Sequence, residues 1–141
     1  MTIITRKHSK KRDAILKVIR STKSHPSAHW VYEKLKPSIE GLSLATVYRN
    51  ITLFQQEGSV ISVGVVEGKE RFDGNVVYHP HFICTYCGSV HDLPDPDPHW
   101  LELIAENFKP VEGFTIDYQK TTFYGLCKQC AEKQSQQRML L

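Results

Sequence analysis

No stretch of the 141-residue sequence approaches the roughly 20 consecutive apolar residues of a membrane-spanning helix, and the N-terminus, MTIITRKHSKKR, lacks a signal's apolar core. A cytoplasmic protein is the expectation. Internal repeats and low-complexity segments are also missing, which excludes a solenoid and a long compositionally biased tract. No H-E-x-x-H or H-x-E signature occurs, so a zinc hydrolase or deaminase, the distant alternative, lacks its acid/base glutamate. A non-enzyme is expected. Cysteine is scarce: the four present fall into two C-x-x-C pairs, which in a reducing compartment read as metal thiolates rather than disulfides.

An apolar content of 40% is enough to bury one ordinary core or two small ones. The net charge of +3 hides an asymmetry. Residues 1–75 carry 13 Lys/Arg against 7 Asp/Glu, whereas residues 76–141 carry 5 against 8. Chance clustering on a solvated surface gives such a split, and so does a basic module for a polyanion joined to a module with another task.

Periodicity predicts a basic amphipathic helix over about 8–21, with Ile15, Leu16, Val18 and Ile19 at helical spacing. A second, short helix follows the Ser27 cap, with Ala28, Val31, Tyr32 and Leu35 as its apolar stripe and Pro37 as its end. A third starts at the Ser43 cap, carries Leu44, Val47, Ile51 and Phe54 on one face and Thr46, Arg49 and Asn50 on the other, and stops at Gly58. VISVGVVEG and KERFDG then read as a hairpin about Glu67-Gly68-Lys69. Three helices and a hairpin make a winged helix-turn-helix over 1–74.

Beyond it, strands are expected in VVYHPHFIC, GSVHDL and FTIDYQKTTFYGLC. A helix opened by Asp97 and Pro98 lies between the last two, with Leu101, Ile104, Ala105 and Phe108 turned inward, and the polar tail after Cys130 reads as a frayed helix. The whole is α+β, residues 75–141 forming a small second α+β domain.

Cys84-x-x-Cys87 with Cys127-x-x-Cys130 suits a closed tetrahedral S₄ zinc site, hence a structural one; a redox dithiol or an iron cluster are the alternatives. A redox dithiol would want a C-x-x-C at a helix start, and both pairs here are expected at strand ends or turns. A second set has no sulfur. His79 and His81 are expected on one strand face, Asp92 on the next strand, Asp73 at the end of the wing and His25 before the second helix. As one site they give an N/O sphere suited to Fe²⁺ or Mn²⁺, with zinc a competitor; as single residues they are ordinary solvated groups, His25 above all. His8, His29, His91 and His99 read as surface residues. Thr46, Tyr48 and Arg49 are placed to reach a DNA major groove, with Arg6, Lys7, Lys10, Lys11 and Arg12 on phosphates, though Tyr48 can equally pack inward.

HPSAHWVYEKL, LSLATVYRNITLFQQEG, RFDGNVVYHPHFICTYCG and YGLCKQC, in that order over about residues 9–131, resemble the ferric uptake regulator family of metal-dependent repressors. The resemblance implies a cytoplasmic homodimer on a double-stranded DNA operator, with the second domain as dimerisation domain. It also implies one structural zinc per subunit at Cys84, Cys87, Cys127 and Cys130, and one regulatory Fe²⁺ or Mn²⁺ at His25, Asp73, His79, His81 and Asp92. Both carboxylates of that set are aspartates, as in the peroxide-sensing branch, where the iron-sensing branch usually has glutamates. That branch implies iron-catalysed oxygen addition by hydrogen peroxide at His25 or His79. An iron- or zinc-responsive repressor is the near alternative. Pro80, between two expected ligands, departs from the family pattern.

Overall fold

The structure, a computed structural model, describes residues 9–94, 97, 99–107, 112–115 and 120–140. The chain divides into two compact units, Met1–Val76 and Val77–Leu141.

In the first unit, each of three helices begins where a serine satisfies an otherwise unpaired N–H. Ser9 accepts from Arg12 ahead of α1 (Lys10–Ser21), Ser27 from Trp30 ahead of α2 (Ala28–Leu35), and Ser43 from Thr46 ahead of α3 (Leu44–Glu57). Gly58 ends α3 with φ 76, a left-handed cap that returns its N–H to the last carbonyls. One core joins the three: Ile15, Ile19, Val31, Val47, Ile51 and Phe54 are at most 2% exposed. Burial of side chains this size contributes on the order of 1.5–3 kcal/mol each. The expected stripes narrow at their edges, for Leu16, Val18, Tyr32 and Leu44 are only half-buried.

Strands β1 (Ile61–Val66) and β2 (Lys69–Asp73) form the antiparallel wing, with Val66 opposite Lys69. Glu67 and Gly68 between them both have positive φ, 52 and 77, which a two-residue loop matching strand twist requires. Gly74 follows β2 where a Cβ would stand 2.8 Å from Arg20 Cγ and 3.1 Å from Arg20 Cα, so only glycine lets the chain pass α1 this closely.

The second unit holds a three-stranded sheet. Central β3 (His81–Cys84) pairs antiparallel with β4 (Val90–Asp92) and parallel with β5 (Thr122–Gly125). The strand expected from Val76 starts only at His81, which corrects the placement of His79 on a strand face. Pro80 has no N–H to give a ladder; instead its carbonyl accepts the N–H of Leu93 at 2.9 Å. The strand expected over residues 114–127 keeps Thr122–Gly125 among the described residues, and 116–119 lie outside them.

Helix α4 is Trp100–Asn107, and the N–H of His99 and of Trp100 both meet Asp97 just before it. Ile104 is half-buried there, while Pro98, Phe108 and the side chains of Leu101 and Ala105 lie outside the described residues. The tail is more regular than expected, a 12-residue helix α5 (Lys128–Met139) with Cys127 as its N-cap. The second C-x-x-C therefore opens a helix, correcting its placement at a strand end or turn.

Candidate metal centres

The parallel pairing of β3 with β5 puts Cys84 beside Gly125, two positions before Cys127. Cys84 and Cys87 flank a tight turn in which Gly88 returns its N–H to the Cys84 carbonyl, and Cys127 and Cys130 span the first turn of α5. The four sulfurs lie within 4.8 Å of one another, and those of Cys87 and Cys127 are 3.8 Å apart. That is far from a disulfide's roughly 2.05 Å. It matches the edge of a tetrahedron with zinc–sulfur bonds of roughly 2.3 Å, about 3.8 Å. The donor set fits zinc.

The thiols are unequal. Backbone N–H groups of Cys127 and Cys87 draw Cys84 down to about 6, and the Ser89 hydroxyl and N–H lower Cys87. Burial, with the neighbouring sulfurs, pushes Cys130 up to about 12. The fold thus lowers both thiols of the first pair and keeps Cys130 protonated until a cation compensates it.

In the first unit, His25 Nε2 is 3.3 Å from Asp73 Oδ2. Both are buried, at 2% and 8% exposure, which removes the surface reading of His25. Asp73 Oδ1 accepts the Asn75 N–H at 2.8 Å, closing an Asx turn that aims the other oxygen at the imidazole.

In the second unit, the single oxygen Asp92 Oδ1 meets His79 Nε2 at 2.8 Å and His81 Nε2 at 3.2 Å. His79 reaches it from the irregular segment before β3, its ring centroid 4.4 Å from that of His81. Its Nδ1 lies 2.7 Å from the Val77 carbonyl and donates to it, so in the neutral ring Nε2 carries the lone pair. Sequence reasoning missed Val77 and Asn75 as orienting groups. Asp73-Gly74-Asn75 is a turn signature that points to Asn75; a carbonyl such as Val77's leaves none.

The other histidines stand apart. His91 is exposed and bonds Ser89 through Nε2 at 2.9 Å, while His29 faces Glu33 one turn along α2 and His99, just before α4, faces Glu102. His8, Arg6 and Lys7 lie outside the described residues.

On α3, Tyr48 is half-exposed rather than packed inward, and Arg49 donates from Nη2 to the Thr46 hydroxyl at 3.1 Å, which orders its guanidinium. Lys10 is exposed and Lys11 half-buried. Arg12 is turned toward α3, its Nε donating to Asn50 Oδ1 at 3.4 Å.

A family model described as the ferric uptake regulator family matches residues 4–124. The peroxide-responsive repressor PerR of Staphylococcus aureus (strain USA300) is 33% identical over 122 residues, 86% of this chain and 80% of that protein. Among solved structures, the ferric uptake regulator of Francisella tularensis with iron is similar at a TM-score of 0.70 and 27% identity, covering 93% of this chain and 98% of that one. A Campylobacter jejuni peroxide stress regulator is similar at 0.67 and 28% identity, covering 85% and 88%.

Proposed function

The chain belongs to the ferric uptake regulator family, and from that premise we propose that it is a cytoplasmic, homodimeric, metal-dependent DNA-binding repressor that senses hydrogen peroxide. Residues 1–74 act as the DNA-binding domain and residues 75–141 as the dimerisation domain. No helix among the described residues is long and apolar enough to cross a membrane.

In this reading the four cysteines hold a structural zinc. The regulatory ion, Fe²⁺ or Mn²⁺, takes His25 and Asp73 from the first unit and His79, His81 and Asp92 from the second. A ligand set divided in this way makes the bearing of each DNA-binding unit on its dimerisation unit depend on the ion. In a dimer, that bearing sets the spacing of two recognition helices, and half-sites repeat with the helical turn of DNA. Whatever metal adds to DNA affinity, DNA adds to metal affinity. Arg49 and Thr46 read base edges with Tyr48 beside them, and Lys10, Lys11 and Arg12 contact phosphates.

The observation that carries the peroxide reading is the pair of short carboxylates. Asp73 spends one oxygen on Asn75 and offers the other, and a glutamate's extra methylene would not close that turn. Ferrous iron, if held there, would catalyse oxidation of a ligand imidazole by peroxide: the O–O bond and a ring C–H bond break, one oxygen ends on that carbon, the other leaves as water with the displaced hydrogen, and the iron ends ferrous as it began. His25 and His79 are the rings in question. An oxidised ring is a weaker donor, so the two units release each other.

Iron-loaded protein treated with peroxide should gain the mass of one oxygen atom on a peptide containing His25 or His79. Oxygen on the cysteines instead, or an unmodified iron form, contradicts the reading. Similarity to the iron-bound Francisella regulator favours a second reading, iron-responsive repression at the same residues, in which peroxide leaves both histidines intact.

A further inference from the structure

The loop that delivers His25 has a backbone conformation that needs holding. His25 has φ 54, in the left-handed region that residues with a Cβ rarely occupy. Successive residues of β2 grip that loop. Arg71 donates from Nε to the His25 carbonyl and from Nη2 to the Ser24 carbonyl, the latter at 2.7 Å. Phe72 donates its N–H to the Pro26 carbonyl at 3.0 Å, and Asp73 meets the His25 imidazole. Because strand side chains alternate, Arg71 and Asp73 project on the same side, one taking the backbone of His25 and the other its ring. A planar guanidinium presents its donors in a fixed fork that sets the bearing of two carbonyls, whereas a lysine's ammonium, with three donors about one point on a flexible stem, fixes no such geometry.

We propose that Arg71 is a positioning residue of the regulatory metal site: by clamping the carbonyls of Ser24 and His25 it keeps the loop turned so that the imidazole of His25 meets Asp73. It sets metal affinity without touching the metal. The inference rests on the reading above only in taking His25 and Asp73 as ligands.

The test titrates Mn²⁺, which leaves the ligands unoxidised, into full-length zinc-loaded protein and into its Arg71→Met, Arg71→Lys and Asp73→Ala variants, with amide hydrogen exchange followed in the absence of Mn²⁺. Arg71→Met should weaken Mn²⁺ binding about 10–100-fold, the usual effect of removing a group that orients a ligand. Zinc content and the melting transition should stay those of the parent, exchange should rise at residues 24–27, and Arg71→Lys should recover only part of the affinity. Parent-like Mn²⁺ affinity in a folded Arg71→Met protein overturns the proposal. Should Arg71→Met not fold, parent-like affinity in Arg71→Lys overturns it instead. If Asp73→Ala binds Mn²⁺ as the parent does, the ligand assignment falls on its own. The clamp is then judged by exchange, and unchanged protection at residues 24–27 in Arg71→Met refutes it.

Discussion

His79 holds Asp92 with one ring nitrogen and its own chain with the other: Nε2 is 2.8 Å from Asp92 Oδ1, and Nδ1 is 2.7 Å from the Val77 carbonyl oxygen. The carbonyl can only accept, so Nδ1 carries a proton and Nε2 is the nitrogen left to take a metal, beside an oxygen of Asp92. A metal ion bound there would take the imidazole nitrogen and the carboxylate oxygen together as ligands. Asp92→Asn keeps the shape and removes the charge. It should weaken Mn²⁺ binding by at least about tenfold, the lower end of what losing even an outer partner costs, while the cysteine-bound zinc is retained. Calorimetric titration beside zinc analysis checks this.

The four thiols should be distinguishable when zinc is stripped. Cys87 is exposed and its thiol is lowered, whereas Cys130 is buried and pushed up to about 12. Alkylation of the metal-free protein at neutral pH should therefore reach Cys87 first and Cys130 last, and zinc should protect all four. Zinc uptake at neutral pH should also release protons, because Cys130 must give up its own to become a ligand. Peptide mass spectrometry reads the order, and a weakly buffered indicator dye reads the protons.

Gly74 tests the packing that seats Asp73. Gly74→Ala places a methyl group 3.1 Å from the Arg20 backbone, so either α1 or the end of β2 must move. A loss of about 1–3 kcal/mol is expected, as for overpacking generally, with weaker Mn²⁺ binding as Asp73 shifts. Urea unfolding of the first unit's transition measures the loss.

The recognition face predicts two kinds of defect. Arg49→Ala should cost about 1–3 kcal/mol on a preferred DNA sequence and relax the preference at one base position. Lys10→Ala should weaken all sequences alike and flatten the salt dependence by about one unit of slope. Binding isotherms at several salt concentrations, on DNA selected from a random pool, separate the two.

Local signals explain how much could be read from the sequence alone. Ser27, Ser43 and Gly58 mark helix ends by hydrogen bonds made within four residues, and the Glu67-Gly68 loop marks the wing by its positive φ angles. The cysteine pairs announce a cluster by spacing. The sequence was less informative where the partner is distant or the signal ambiguous. Pro80 takes His79 off the strand, yet Asp92 still reaches it because the neighbouring His81 holds the register with β4. The parallel pairing of β3 with β5 joins segments about 40 residues apart and leaves no periodic trace. Cys127 looks like the end of a strand because Thr122–Gly125 is one, yet its carbonyl accepts the N–H of Ala131 at the start of α5. Arg71 reads as one more basic residue of the wing, since its partners are carbonyls, which every residue has.

Iron in the proposed His/Asp site should make DNA binding sensitive to peroxide. Metal-stripped protein that keeps its zinc should be reloaded with Fe²⁺ or with Mn²⁺, and DNA binding measured before and after peroxide. Both metals should restore binding, and peroxide should abolish it in the iron form alone, with the manganese form unaffected. DNA binding by the iron form that survives peroxide, or equal loss in both forms, would contradict this.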